Sequence, residues 1–525
     1  MIKRLYPLLG GLFVSITAAA QSSNDALLYS PMQPYGTART QALGGAGVGL
    51  GGDYSSAHIN PAGIGMFKTG EFFFTAGVGI TNTSSTYLGN GSADNTGNKT
   101  NFQLPNIGVV FANNRASGAS SWNNFTFSLG MNRMANYNSK IAIAGVNLNS
   151  SYSNIWVDQL QGQSLKYFSY GDETGASLGY QSFLIDTLTT SKGFGGLSFA
   201  DPRRNAPGTS PMPDGITQRG TLTKEGGLNE YAFAMGANYG DRLYIGATIT
   251  IPSINYKETF SWSEDDRQET NHNNQFGYFD YNNYLKRNGI GIGAKIGIIY
   301  KISDRFRLGG AFHTPTYYSL HDSYAADITA NTEDFGGEVY VNSNQLTEDG
   351  GPKLYDYNYV TPLRLLGGAS YFFGDITNPK KLQGFITADY EYVNQSSAKF
   401  KMSDDRAYER ALNSNISAIY TSVSNVRVGA ELKFASLYAV RAGFAAYGNP
   451  YSNDAYNAGA DASSKVYSGG LGIRSKGIYA DLTYSYAQLT SNYRPYVTED
   501  ASITPPPATI DYNRSNILLT VGFKF

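Results

Sequence analysis

The most informative absence in this sequence of 525 residues is that of cysteine. Without a thiol the chain can form no disulfide, no thiolate metal site and no cysteine nucleophile, and it has no cysteine on which a lipoprotein anchor could be built. Charge is also sparse, because Asp, Glu, Lys and Arg make up only 15% of the residues and 40 basic side chains face 41 acidic ones. A net charge of −1 creates no attraction for polyanions, so nucleic acid is not expected as a partner.

A long apolar run is missing as well, and a helix that crosses a bilayer needs roughly 20 apolar residues. The first residues read Met-Ile-Lys-Arg, and a shorter apolar stretch from Leu8 to Ala20 follows, ending in Ala18-Ala19-Ala20. This three-part plan predicts a secretory signal peptide over 1–20, cleaved before Gln21. Since nothing later in the sequence could span as a helix, a closed β-sheet is the remaining way through a membrane.

Glycine and tyrosine are abundant, with 60 and 41 residues, a combination typical of membrane barrels with aromatic girdles. Between Val426 and Phe434 apolar residues alternate with Arg427, Gly429, Glu431 and Lys433. A period of two predicts a strand with one apolar and one polar face. Such a strand suits a wall with lipid on one side and water on the other.

Fourteen segments read as strands in this way, and an even number lets an antiparallel sheet close on itself. Short connections such as Gly240-Asp241 and Ala435-Ser436 alternate with long polar ones, as expected for short inner turns and long external loops. The sequence therefore predicts an all-β fold, a fourteen-stranded antiparallel transmembrane β-barrel over 69–525, with a large external insertion at about 136–227. The predicted strands are 71–83, 101–112, 124–136, 229–239, 242–260, 284–301, 304–318, 357–373, 382–400, 422–434, 437–448, 464–474, 477–491 and 512–525.

The stretch 21–68 is too rich in glycine for a membrane strand and too apolar for a free tail. A plug inside the barrel lumen would satisfy both properties, and we expect this stretch to be one. Glycines in it would permit tight turns where side chains do not fit.

The residues of this plug resemble a known family. The sequence ARTQALGGAGVGLGGDYSSAHINPAGIG, from Ala38 to Gly65, resembles the N-terminal hatch of the FadL/TodX family of outer-membrane transporters, whose mark is an Asn-Pro-Ala triplet after a glycine-rich run. Asn60, Pro61 and Ala62 stand at that position. The likeness continues in HTPTYY at 313–318, TPLRLLGGASY at 361–371, VRVGAELKF at 426–434 and YSGGLGIRSKGIYADLTYSY at 467–486.

The resemblance implies a fourteen-stranded barrel with the hatch inside it, located in the outer membrane. It implies passive uptake of hydrophobic compounds, such as long-chain fatty acids or aromatic hydrocarbons, by a protein that is not an enzyme and needs neither cofactor nor metal. The expected partners are a hydrophobic small-molecule ligand and the lipid of the outer membrane, and we expect a monomer.

The family's route also implies a lateral exit beside a kinked third strand. In the third predicted strand the alternate residues Phe127, Leu129 and Met131 are apolar and are expected to face the lipid, but the next residue on that face would be Arg133. The register is therefore predicted to break at Asn132, Arg133 and Met134, and a bulge there would bend the strand. Pro105 in the second strand cannot donate to a ladder. Alternatively, Arg133 reaches the outer interface and Pro105 lies near a strand end.

Several charged residues alternate with apolar ones in the predicted strands and should face the lumen. Arg364, Arg427, Arg441 and Glu431 are the candidates for orienting a polar group of the ligand. The alternative is that they form ion pairs with one another, with the plug, or with Asp389, Glu391, Lys433 and Asp481, because barrel interiors are ordinarily polar.

Other interpretations of the same residues stay open. Asn60-Pro61-Ala62 could be a plain turn, since Asn-Pro initiates turns. His58 lies close by, and a single histidine can ligate haem, so a haem receptor is one alternative function. A barrel that assists protein secretion or surface assembly is another.

Overall fold

The computed structural model describes residues 23–32, 36–89, 95–114, 121–160, 175–190, 193–204, 211–267, 274–347, 349–375, 381–403, 405–435, 437–452 and 461–525. The predicted signal peptide at 1–20 lies outside the described residues. Among the described residues, no helix is both long and apolar enough to cross a membrane.

Nineteen of the strands in the described residues belong to one sheet, and two form a separate hairpin. The strands are β1 (Glu71–Thr86), β2 (Thr96–Asn114), β3 (Trp122–Asn136), β4 (Ser139–Asn147), β5 (Ile185–Thr190), β6 (Gly193–Ser198), β7 (Ile216–Tyr239), β8 (Leu243–Asp266), β9 (Tyr278–Lys301), β10 (Phe306–His313), β11 (Tyr317–Asn331), β12 (Glu338–Asn342), β13 (Lys353–Val360), β14 (Arg364–Gly374), β15 (Gln383–Asn394), β16 (Lys399–Lys401), β17 (Ser422–Phe434), β18 (Tyr438–Tyr447), β19 (Ser464–Ser475), β20 (Ile478–Tyr493) and β21 (Ala508–Lys524).

The large sheet closes into a fourteen-stranded antiparallel barrel, as predicted. Closure occurs between the first and last strands, which pair from Glu71–Lys524 to Thr86–Thr509. Three of the fourteen barrel strands are each divided into two pieces, β10 with β11, β14 with β13 and β15 with β16. The first two interruptions contain Pro315 and Pro362, and proline cannot donate a hydrogen bond to a ladder.

The period of two decides which side chains face outward. In β17, Val426 and Val428 are 43% and 38% exposed, whereas Arg427 between them is 4% exposed. On β9, the alternate residues Ile290, Ile292, Ile296 and Ile298 are likewise exposed. The outside of the wall therefore carries a continuous apolar band, which a water-soluble barrel would not tolerate.

Residues 36–68, here called the N-terminal segment, lie within the ring. The segment contains two short α-helices, Ala38–Ala42 and Ser56–Ile59, and a 3-10 helix, Pro61–Met66. Its backbone comes close to Gly443 of β18, Gly368 of β14 and Gly236 of β7, which are strands on different sides of the ring.

Between β3 and β7 the chain builds a cap over one mouth of the barrel. The cap contains β4, the helices Asn154–Leu160 and Ala176–Gln181, and the β5–β6 hairpin. Its core joins Trp156 to Trp262 and Phe279 on the outer ends of the long strands β8 and β9. β7 begins at Ile216, earlier than the sequence predicted, because its outer part pairs with β4 on one side and β8 on the other.

Candidate lumenal site and lateral opening

A cavity of about 80 Å³ lies between the N-terminal segment and the barrel wall. In this conformation it is smaller than the roughly 150 Å³ cavity that holds benzene in an engineered protein core. Some part of its lining must therefore move before a ligand can bind. The lining includes Tyr29, Met32, His58, Ile59, Asn132, Met134, Leu228, Glu230, Lys295, His313, Tyr318, Arg364, Leu366, Glu391 and Arg427.

A buried charge cluster at this cavity joins the N-terminal segment to the wall. Glu230 of β7 lies 2.6 Å from Nδ1 of His58 and 2.5 Å from Nζ of Lys295 on β9. His313 on β10 adds a contact of 2.9 Å between its Nε2 and the carbonyl oxygen of Ile59. Sequence reasoning missed Glu230 and Lys295, which come together only when the strands pair.

Two of the predicted ligand-orienting residues also line this cavity. Arg364 and Arg427 both contact Glu391, the former at 3.4 Å between Nη1 and Oε1. Arg364 also donates from Nη2 to the carbonyl oxygen of Pro31 at 2.7 Å. A carboxylate that entered the cavity would therefore meet two guanidinium groups that already share one acid.

The other two predicted residues, Arg441 and Glu431, face inward but lie in a separate ion cluster outside this cavity. Arg441 contacts Glu431 at 2.5 Å and Asp481 at 2.6 Å. Arg39 of the N-terminal segment reaches the same Glu431 oxygen at 3.1 Å. These ion pairs connect the N-terminal segment to the wall. For Arg441 and Glu431 the arrangement therefore corresponds to the alternative in which the charged residues pair with one another and with the plug.

Asn60, Pro61 and Ala62 form a turn that is anchored to the wall. Asn60 Oδ1 accepts from the Ala62 backbone N–H at 3.2 Å and so caps the 3-10 helix. Asn60 Nδ2 donates to the carbonyl oxygens of Val48, at 2.7 Å, and Ile298 of β9, at 3.1 Å. The triplet therefore joins two loops of the segment to one strand of the barrel.

Glycines of the wall receive the backbone of the N-terminal segment. A Cβ atom at Gly309 would overlap the Val48 carbonyl oxygen, and one at Gly443 would overlap the Gly44 nitrogen. We call these wall glycines the glycine belt, which consists of Gly236, Gly246, Gly309, Gly429 and Gly443. Inward-facing glycines on several strands were a signal in the sequence, but the sequence alone does not show what they contact.

The ladder between β2 and β3 is incomplete. Their pairing runs from Asn114–Asn124 to Asn106–Asn132 and does not continue. On β2, the register against β1 shifts beside Pro105, where Gln103 and Asn106 oppose Gly77 and Thr75.

The third strand shows a second irregularity at the same height. Its register against β7 shifts between Arg133 and Ala135, and Arg133 Nε donates to Asn229 Oδ1 at 3.1 Å. Beyond the last ladder pair, Asn136 Nδ2 contacts Asn101 Oδ1 at 3.2 Å and Gln103 Oε1 at 3.5 Å. Polar side chains bridge β2 and β3 at this point, and the adjacent Asn132 and Met134 line the cavity.

An apolar groove of about 490 Å³ lies on the outer face of the same strands. It starts at Ile107 and Met131, one residue from the last β2–β3 pair. Its walls are formed by Ile107, Leu129, Met131, Tyr231, Phe233, Ile249 and Ile251.

His58, the residue that the haem alternative would use, is buried. It is 4% exposed, and its Nδ1 lies 2.6 Å from a Glu230 oxygen. Within the described residues, no group of three His, Cys, Asp or Glu side chains is placed to hold a metal ion.

Comparison with known proteins gives a clear result for the fold. No family model and no curated protein matches the sequence. A FadL homologue of Pseudomonas aeruginosa matches the structure with a TM-score of 0.54 and 14% identity, over 94% of this chain and 99% of that one. The toluene transporter TodX of Pseudomonas putida matches with a TM-score of 0.50 and 10% identity, over 94% and 99%. The chain therefore has the fold of the FadL-type channels.

Proposed function

We propose that this chain is an outer-membrane channel of the FadL/TodX family, for passive uptake of hydrophobic small molecules such as long-chain fatty acids or aromatic hydrocarbons. The observation that carries the proposal is the end of the β2–β3 ladder at Asn106–Asn132, between an internal cavity and an apolar outer groove. In this proposal the N-terminal segment acts as the hatch.

The glycine belt and the ion pair between Arg39 and Glu431 argue that a ligand does not pass straight through the hatch. Close backbone contact on several strands leaves no space, and a packed interior does not deform continuously. The side wall offers less resistance, because opening it breaks side-chain contacts, those of Asn136 and the ion pair between Lys99 and Glu225, rather than ladder pairs. A hydrophobic ligand would leave through this gap into lipid, driven by its own gradient.

The composition of the cavity suggests how a polar group of the ligand is oriented. Lys295, Arg364 and Arg427 are opposed by Glu230 and Glu391, so the cations outnumber the carboxylates among these five residues. A ligand carboxylate would make the numbers of positive and negative groups equal. A hydrocarbon would instead contact Tyr318, Leu228 and other apolar neighbours.

A cross-link across the gap tests the route. Gln103→Cys with Asn136→Cys places thiols on β2 and β3 beyond the last ladder pair, in a chain with no other cysteine. Cells would be given labelled toluene or a labelled long-chain fatty acid, before and after cross-linking and again after reversal. We expect uptake to fall at least tenfold on cross-linking and to recover on reversal.

The matched control is Val110→Cys with Ser128→Cys, on the same two strands within the intact ladder. Cross-linking this pair should leave uptake unchanged. Equal uptake of both compounds with and without the gene would contradict transport, while uptake that survives the Gln103–Asn136 cross-link would contradict the lateral route alone. A role in protein secretion predicts that neither cross-link affects uptake.

A further inference from the structure

Residues 23–32, here called the strap, cover the cavity on the side of the external loops. The strap begins with a 3-10 helix, Ser23–Leu27, that packs against the helix Arg406–Ile419. Tyr29, Pro31 and Met32 then form part of the cavity lining. Whatever reaches the cavity from this side must displace the strap.

The ring of Tyr29 is held in an aromatic cage. It is 1% exposed, and its centroid lies 4.6 Å from that of Tyr359, 6.1 Å from that of Tyr318 and 6.3 Å from that of Phe400. Its hydroxyl lies 2.8 Å from the hydroxyl of Tyr357. The cage therefore fits one phenol ring, with a polar contact at its far end.

The carboxylate of Asp25 contacts the guanidinium of a buried arginine, Arg287, which lies beside that ring. Arg287 has no exposed side-chain surface and binds Asp322 through both Nε, at 2.8 Å, and Nη2, at 2.6 Å. Asp25 approaches the same guanidinium at 3.1 Å from Nη1 and 3.4 Å from Nη2. The Arg287 Cζ atom lies 5.5 Å from the centroid of the Tyr29 ring. One guanidinium thus meets both a carboxylate and an aromatic ring of the strap.

Wall side chains hold the backbone of the strap. The hydroxyl of Tyr359 donates to the Ala26 carbonyl at 2.8 Å, and that of Tyr137 donates to the Leu28 carbonyl at 2.7 Å. The N-terminal segment, by contrast, is held by close backbone contact at the glycine belt. Displacing the strap therefore breaks side-chain contacts, whereas displacing the N-terminal segment requires movement of backbone that is packed against the wall.

We propose that Tyr29 and Asp25 of the strap occupy a ligand-binding site, and that this site binds a small aromatic carboxylate when the strap is displaced. The ligand's ring would replace that of Tyr29 in the cage, and its carboxylate would replace that of Asp25 on Arg287. An acid is favoured over a neutral hydrocarbon, because the departure of Asp25 removes one of the carboxylates that contact a fully buried guanidinium, and a buried charge that loses such a partner is destabilised.

The physiological meaning of this site rests on the proposed uptake function, but binding to it can be measured without transport. The probe is 3-(4-hydroxyphenyl)propionate, whose phenol matches Tyr29, and its amide is the neutral control. Calorimetry on the full chain in detergent would compare the wild type with Asp25→Ala/Tyr29→Ala. A tethered occupant competes at an effective concentration of about millimolar, so we expect the double variant to bind the acid at least tenfold more tightly than the wild type.

Single variants separate the two halves of the site. Asp25→Ala should raise affinity for the acid but not for the amide, whereas Tyr29→Ala should raise affinity for both. Leu27→Ala, in the same 3-10 helix, should change neither. Equal affinities in all variants, or equal binding of acid and amide to the double variant, would overturn the proposal. Loss of uptake in cells with intact probe binding would instead count against the proposed function only.

Discussion

Asp389 of β15 accepts a hydrogen bond of 2.6 Å from the backbone N–H of Gly47 through a single oxygen, Oδ2. The same oxygen accepts from the next residue, Val48, at 3.0 Å. One wall carboxylate therefore satisfies two successive backbone donors of the N-terminal segment. The segment is joined to the barrel here without any strand pairing.

Replacing this carboxylate should loosen the segment. Asp389→Ala leaves the N–H groups of Gly47, which is half-buried, and Val48, which is buried, without this acceptor, and an unsatisfied buried donor costs about 1–3 kcal/mol. We expect amide hydrogen exchange at Gly47 and Val48 to accelerate at least tenfold. Asp389→Asn retains a carbonyl acceptor and should lie between the alanine variant and the wild type. Unchanged exchange in Asp389→Ala would contradict the role of the side chain.

Adjacent glycines on β10 should respond very differently to alanine. A Cβ atom at Gly309 overlaps the Val48 backbone, whereas at Gly310 the nearest atom is Cγ2 of Ile298 at 3.7 Å. Overpacking a filled interior costs about 1–3 kcal/mol or more, so Gly309→Ala should lower the unfolding midpoint in denaturant. Gly310→Ala should stay within about 0.5 kcal/mol of the wild type. Similar unfolding midpoints for both variants would show that the N-terminal segment can move away from Gly309 at little cost in stability.

The cap should become less stable as the pH rises through neutrality. Glu264 lies well beyond Ile251, the outermost exposed isoleucine of β8, and burial raises the pKa of its carboxyl to about 7 despite hydrogen bonds from Ser151, Tyr152 and other donors. The folded pKa is above the unfolded value of about 4.5. The contribution to stability is therefore fully present below pH 4.5 and is lost as the pH rises through about 7.

The effect is on the order of 3 kcal/mol, from 1.36 kcal/mol per unit of pKa. Fluorescence of the cap tryptophans in denaturant, followed from pH 4.5 to 8, would measure it. Glu264→Gln keeps the shape of the side chain and an acceptor for Trp262, but does not titrate. The variant should show a flatter profile than the wild type over this range, and a profile parallel to that of the wild type would rule out Glu264 as the cause.

Breaking the ion cluster at Arg441 should cost far more than breaking an exposed pair. Arg441→Met leaves Glu431 and Asp481 buried without this cation, and removing one partner of a buried pair costs about 3–5 kcal/mol. Arg219→Ala, which removes an exposed contact to Asp265, should cost about 0–1 kcal/mol. Denaturant unfolding of the two variants measures the difference. Equal losses would mean that water reaches the Arg441 cluster.

The sequence predicted the wall because alternation is a local property. Val426 faces outward and Arg427 inward as their positions require, and the predicted number of fourteen barrel strands is confirmed. It did not predict that β7 begins at Ile216 or that β11 continues to Asn331. These outer parts lie beyond the apolar band, so pairing with neighbouring strands rather than hydrophobic alternation sets their ends.

The candidate site was predictable only in part. Alternation showed that Arg364 and Arg427 face the lumen, but not that both contact Glu391, because that depends on the register between β14, β15 and β17. His58 and Glu230 are joined across 172 positions of sequence, and no local pattern encodes such a contact.

The glycine belt also constrains the order of assembly. Its glycines lie on strands around the ring, and the contacts at Gly246 and Gly443 leave no clearance for the backbone of the N-terminal segment. We therefore expect the N-terminal segment to lie along the strands before β21 pairs with β1 and the barrel closes.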